Sequence, residues 1–237
     1  MFRLNDDNST PGARSRQGIR RREEYAQATR QAIVDAARRL FSERGYFSTK
    51  VDDIAALARV APATVYAVSG GKHGLLNALL EIWAAAPIIA ATIGRIEAMD
   101  DPAAIIRLVS KFCRSKHEEF GDIMRVLLTT APHDEAVSES LQAATAKYRQ
   151  AFVPIAHRLL DLGALRDGMD AKETVDVFWF YFGYVGLFTL HDENGWSYER
   201  AERWLSEEAS RALLQNHQTG SDRAGCQTTN RRGRLDH

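Results

Sequence analysis

The chain has 237 residues, 45% of them hydrophobic and 26% charged, and its 31 Lys/Arg balance 31 Asp/Glu. That is the composition of an ordinary globular protein and excludes collagen-like or low-complexity chains. The most apolar run, Val177–Leu190, is 14 residues long against the ~20 that a membrane-spanning helix needs.

Residues 1–22 lack the apolar centre of a secretory signal, so a cytoplasmic location is expected. Two distant cysteines, Cys113 and Cys226, offer neither a disulfide framework nor metal-ligand spacing. The zero net charge conceals an asymmetry, because residues 1–72 carry 13 Lys/Arg against 8 Asp/Glu. A basic N-terminal third points to a polyanion partner or to chance clustering in a tail, since Arg14, Arg16, Arg20, Arg21 and Arg22 lie close together.

In chain order, residues 1–22 read as a flexible Arg-rich arm. A first helix is predicted from Glu23 to Arg44. Its apolar stripe is Ala32, Ile33, Ala36, Ala37, Leu40 and Phe41, and Gly45 stops it. Thr49 with Asp52 resembles a capping pair that opens a second helix over Val51–Ala58. Pro62 suits the start of a short third helix, and a fourth runs from Lys72 to about Ala86. Further helices are expected near 88–98, 102–118, 119–130, 135–163, 171–192 and 197–215, with Pro154 kinking or splitting the longest. Residues 216–237, polar and Gly/Thr/Arg-rich, read as a disordered tail. The expected units are therefore 1–22, 23–71, 72–215 and 216–237.

The stretch Val51–Val68 meets the demands of two helices packed at a steep angle. Ile54, Ala58, Val65 and Val68 face inward, Ala55 sits at the closest approach, and Val60 plugs the turn. Ala63, Thr64, Tyr66 and Ala67 remain outside, where a helix could enter a DNA major groove. The same pattern also suits a plain helical hairpin in a bundle core.

From about Arg30 to Leu80 the sequence closely resembles the TetR family of regulators. The resemblance is carried by Ala36-Ala37, Leu40-Phe41, Gly45-Tyr46, Thr49, Val51-Asp52-Asp53-Ile54-Ala55, Val60, Thr64-Val65-Tyr66, Lys72 and Leu75-Leu76. Gly195-Trp196-Ser197, Trp204-Leu205 and Leu213-Leu214 look like the last helix of many such proteins. The fold class implied is all-α: an N-terminal three-helix helix-turn-helix domain plus a C-terminal helical domain for ligand binding and dimerisation. The resemblance implies DNA contacts from Thr49, Pro62, Ala63, Thr64, Tyr66 and Lys72, and the neighbouring cations Lys50 and Arg59 are counted with them as candidate contacts. It also implies a homodimer through the helices near 171–192 and 197–215.

Three departures stand out. Arg59 occupies a turn position usually held by glycine, where a left-handed backbone would cost ~1–2 kcal/mol. Ser69-Gly70-Gly71 replaces a common aromatic position, which is expected to loosen the packing of the third helix on the fourth and to free backbone amides. Ala61, Ala63 and Ala67 leave few polar groups on the reading face, so specificity could rest on thymine methyls, DNA shape or arm arginines in a minor groove. A solvated, idle arm is the other reading.

Val175–Leu190 is apolar on nearly every face and must be buried all round, partly by a second copy. Candidate effector-lining residues are Trp83, Phe112, Phe120, Met124, Leu127, Tyr148, Phe152, Trp179 and Tyr184, with Thr130 and His157 as polar anchors. Aromatics at helical spacing equally describe a core. His133-Asp134 reads as a capping loop rather than a catalytic pair. No cofactor, metal cluster or nucleophile–base pair is expected. The function expected is a repressor binding a palindromic operator as a dimer and released by a small, largely apolar effector. A helical carrier or enzyme that retains the N-terminal fold, and an effector-independent regulator, remain open.

Overall fold

The computed structural model describes residues 11–84 and 88–215. Eleven α-helices follow one another: α1 Pro11–Arg44, α2 Val51–Ala58, α3 Pro62–Ser69, α4 Lys72–Ala84, α5 Ile88–Glu97, α6 Pro102–Thr130, α7 Glu135–Gln150, α8 Val153–Asp161, α9 Ala171–Phe182, α10 Tyr184–Phe188 and α11 Tyr198–Leu213. A 3-10 turn precedes α7, and a π-helical turn, Thr189–Glu193, follows α10. Among the described residues there is no strand, only an isolated bridge between Leu165 and Leu214. None of the helices is long and apolar enough to cross a membrane. The all-α class is therefore as expected.

The head, α1–α3, closes over Ile33, Ala37, Phe41, Ile54, Ala55 and Val65, all almost completely buried. These are the positions that the helical stripe and the two-helix packing pattern pick out. Leu75, Leu76, Leu79, Leu80 and Trp83 of α4 continue that core into the body, α5–α11. The long α6 runs alongside both, and its Asp101 N-cap accepts hydrogen bonds from the Ala103 and Ala104 amides.

Several boundaries depart from expectation. Helix α1 begins at Pro11, so residues 11–22 extend it instead of forming a flexible arm. Pro11 is preset for a first turn, and the Arg/Gln/Glu-rich run behind it has good helix propensity. Residues 1–10 and the expected tail, 216–237, lie outside the described residues. Helix α6 is continuous, where a break near residue 118 was expected, because nothing between Glu118 and Glu119 breaks a helix. The long helix expected over 135–163 splits at Ala151–Phe152, placing Pro154 in the first turn of α8.

The helix expected over 171–192 is also interrupted. Gly183 takes an extended backbone, and a Cβ there would meet the Trp179 carbonyl oxygen at 2.4 Å. Apolarity alone carries no signal for such a break.

Candidate nucleic-acid interface and effector chamber

Helix α2 is opened not by Thr49 with Asp52 but by Lys50, whose amide donates to the Asp53 carboxylate at 3.4 Å. Thr49 is one residue too early and faces inward. Its buried hydroxyl shares one proton between the Gly45 and Leu40 carbonyls, at 2.9 and 3.2 Å, closing the end of α1. Its side chain is thus a structural plug, while Lys50 beside it is exposed.

The turn after α2 is left-handed at Arg59 (φ 58°, ψ 41°), the only non-glycine residue with positive φ among those described. The Arg59 and Val60 amides close it by donating to the Ala56 and Ala55 carbonyls at 3.2 and 3.0 Å. Ala55 is almost fully buried at this junction, and the Arg59 side chain is exposed.

Pro62 starts α3 at a position where no amide is required. Pro62, Ala63, Tyr66 and Ala67 form its outer face, with Thr64 half-buried at the edge. Tyr66 is 57% exposed although its ring lies against Gly71, where a Cβ would come within 3.3 Å of it. Lys72, at the start of α4, donates to the Tyr46 carbonyl at 2.8 Å and lies 4.5 Å from the Tyr46 ring centroid. One of its three ammonium donors is therefore committed to the head, leaving two for a phosphate.

The Ser69-Gly70-Gly71 segment is tighter than expected. The Gly70 amide donates to the Tyr66 carbonyl at 2.8 Å, and the Gly71 amide to the Ser69 hydroxyl at 3.3 Å. Neither amide is free. A Cβ on Gly74 would lie 1.6 Å from the Ser69 carbonyl oxygen, so α4 approaches the end of α3 closely. The glycine pattern thus sets a close approach rather than a loose joint.

Arg20, Arg21 and Arg22 are exposed on α1, with Arg20 3.8 Å from Glu24. A minor groove ~6 Å wide cannot admit a helix ~10 Å or more across. The minor-groove arm is therefore incompatible with this helix over residues 11–22.

Head and body are joined by Arg38 of α1, which makes a bidentate pair with Asp122 of α6 at 2.7 and 2.8 Å and also donates to the Glu119 carbonyl. Burial pushes the Asp122 carboxyl upward, but the Arg38 hydrogen bond and charge outweigh it and hold the group below the usual carboxylate range.

The expected effector residues divide. Trp83, Tyr148, Trp179 and Tyr184 form one aromatic cluster with ring centroids 5.0–6.0 Å apart. Tyr148 also packs on Phe152, and Phe112, Tyr148 and Phe152 wall an apolar void of about 20 Å³ between α5, α6, α7 and α8. Phe120 instead lies 5.7 Å below the Arg38 guanidinium at the junction with the head. Met124, Leu127 and Thr130 are buried further along α6 and do not line that void. His157 is exposed, because Ile155, Ala156 and Leu159 form the inward face of α8, so it does not anchor an interior ligand. Asp134 caps α7 by accepting from the Val137 amide at 3.1 Å, as the capping-loop reading requires.

Sequence reasoning missed three polar groups inside this cluster. Lys116 is buried, with its ammonium 2.8 Å from the Trp83 carbonyl oxygen and 3.9 Å from the Trp83 ring centroid. Burial pushes its pKa down to about 8. Cys113 is fully buried and accepts from the Tyr148 hydroxyl at 3.3 Å, and burial pushes its thiol up to about 12. His117 holds the Cys113 carbonyl at 2.8 Å. The available signal was positional: Phe112, Lys116 and Phe120 recur at four-residue steps, which places a lysine on an apolar stripe.

Outside the cluster, α9, α10 and α11 border an open groove of about 730 Å³ lined by Trp179, Phe180, Val185, Leu190, Trp204 and Leu205, among others. Phe180 is 74%, Val185 71% and Trp204 41% exposed.

The exposed outer face of α3 and the α2 it packs on define a helix-turn-helix head, carried on a helical body. Residues 33–79 match the family of bacterial regulatory proteins of the tetR type. This head is a TetR-family domain. Over 63 residues the chain is 43% identical to the HTH-type transcriptional regulator TtgR of Pseudomonas putida, a match covering 27% of this chain and 30% of that one. The chain thus matches less than a third of that relative's length.

The fold likeness extends further. NalD, the secondary repressor of the MexAB-OprM multidrug efflux pump in Pseudomonas aeruginosa, superposes with a TM-score of 0.66 at 24% identity, over 81% of this chain and 99% of that one. SmeT, the repressor of the Stenotrophomonas maltophilia multidrug efflux pump SmeDEF, gives 0.63 at 22% identity over 81% and 93%. At these identities the likeness is one of fold.

Proposed function

We propose that the chain is a transcriptional repressor that binds a palindromic operator as a homodimer and is released by a small effector with a largely apolar body. The observation that carries this reading is the outer face of α3. Pro62, Ala63 and Tyr66 are exposed at the end of a closed left-handed turn, with Lys50, Arg59 and Lys72 around them. The face is small enough to lie flat in a major groove, while the cations around it suit the phosphates.

The groove on α9–α11 supports the dimer. Phe180, Val185 and Trp204 form an exposed apolar surface that a second copy would cover. Two-fold pairing would present two α3 helices, and hence read a palindrome. Release follows from linkage: an effector that favours mis-spaced heads lowers DNA affinity by the same factor by which DNA lowers its own. Helix α4 is the connecting lever, tied to the head by Lys72 and to the aromatic cluster by Trp83.

A gel shift with the DNA immediately upstream of the chain's own gene tests the reading. A retarded band competed by the unlabelled fragment but not by random DNA is expected. A shift that random DNA competes equally would remove the regulator reading in favour of a helical carrier.

A further inference from the structure

Lys116 is 3% exposed, in the middle of α6. Its ammonium donates to the Trp83 carbonyl and faces the rings of Trp83, Tyr148 and Phe112, with centroids at 3.9, 5.2 and 6.0 Å. Among the described residues no carboxylate pairs with it; Glu119 is exposed and acts only through space. An ammonium offers three donors, and one is used. Aromatic faces and one carbonyl soften the loss of water, but a buried cation without a counterion is the costly arrangement.

Lys116 does not itself line the void of about 20 Å³, but two of the rings it faces, Phe112 and Tyr148, stand between the two and wall that void. Apart from Thr92, its remaining lining, including Val109, Phe152 and Ile155, is apolar, so the void suits an apolar group better than a water, which needs several polar partners. The Tyr148 hydroxyl, its one proton shared with the Cys113 sulfur, also lies 3.2 Å from the Phe182 carbonyl oxygen, beside the break at Gly183. Tyr148, which lines the void, is thus tied to the end of α9 beside its interruption.

We infer that Lys116 is the anion-recognising group of a buried effector site for an amphipathic organic acid, whose aryl or alkyl body opens the neighbouring void and whose carboxylate pairs with the ammonium. Calling this ligand an effector rests on the regulator reading above. A carboxylate would take the unused donors of Lys116 and draw the ammonium away from the Trp83 carbonyl. That carbonyl belongs to the last turn of α4, and the lysine caps it where a cation is favoured. Ligand binding thus weakens a cap on the helix whose other end fixes the recognition helix.

The test uses the full chain without DNA, titrated calorimetrically with matched pairs: 2-naphthoate against 2-naphthamide, and octanoate against octanamide. Tryptophan fluorescence provides a second readout at Trp83. At least one carboxylate is expected to bind about tenfold or more tightly than its amide. Lys116→Met should abolish that preference while still binding the apolar body, and Lys116→Arg should retain it. The Met variant removes a buried charge at similar length, and its circular dichroism and melting curve verify the fold. Binding by no carboxylate, a preference that survives in Lys116→Met, or tighter binding of 2-naphthylmethylamine than of 2-naphthoate would each overturn the assignment. Carboxylates that bind through Lys116 to a protein with no operator preference would leave the site standing and remove the regulator reading. Operator binding without any carboxylate binding would do the reverse.

Discussion

Arg59 combines two opposed effects in one side chain. Its left-handed backbone costs ~1–2 kcal/mol relative to a glycine at the same angles. Arg59→Gly is accordingly expected to unfold at a higher temperature and yet to bind DNA more weakly, with the salt dependence of log K shallower by about 1 if the guanidinium meets a phosphate. Unchanged affinity and slope would remove Arg59 from the interface. Tyr66→Ala should weaken operator binding about tenfold, the equivalent of ~1.4 kcal/mol, and leave the oligomer unaltered by light scattering.

Lys116 carries a pH signature. Its folded pKa, about 8, lies below its ordinary value of 10.5, so the unfolded chain binds the extra proton between those values. Stability measured as the wild type minus Lys116→Met should be flat and least favourable below pH 8, and should rise between about pH 8 and 10.5. Subtracting the variant cancels the groups that do not feel the ammonium, while burial keeps the Cys113 thiol and the Tyr148 phenol protonated in the folded protein across this window. A flat difference across that window would contradict a buried, proton-shedding lysine. The inward stripe of the helix could be read from the sequence, but not that a lysine on it would be retained indoors, because long amphipathic side chains ordinarily snorkel to water.

Among the elements, α4 does most to join the two halves, and its start is the tightest contact in the head. Gly74→Ala must move α3 or α4, because the added carbon would sit 1.6 Å from the Ser69 carbonyl oxygen. A loss of ~1–3 kcal/mol is expected, measured by denaturant unfolding, together with impaired operator binding. An alanine variant as stable as the wild type would show that the approach is not tight. The sequence located α2 to the residue and the start of α3 at Pro62, because packing, a proline and a turn coincide there. It misplaced the start of α1 and split α6, because arginine-rich helix and arginine-rich coil look alike without a breaker. It also missed the interruption at Gly183, where the cause is a tertiary fit around Trp179 and not a local preference.

For the whole molecule, the division of labour rests on an exposed apolar face and an interior that is nearly full. The eleven residues expected to surround an effector did not gather into one chamber: six meet around Tyr148 or its void, four lie along the second half of α6, and His157 faces solvent. Burial was legible in an apolar helix; which buried ring faces which could not be read without the helix crossings. Phe180→Glu should dissociate the dimer at micromolar concentration, since it places a charge at the centre of the proposed interface, and should lower operator affinity with it. A variant that remains dimeric by light scattering would place the interface elsewhere.

The most direct measurement of the central claim is a DNase I footprint of the full chain on the DNA upstream of its gene. The repressor reading predicts a protected, two-fold symmetric site, with half-sites related by the dimer axis and protection lost in Phe180→Glu and Tyr66→Ala. Uniform or absent protection at protein concentrations that saturate any nonspecific binding would contradict it.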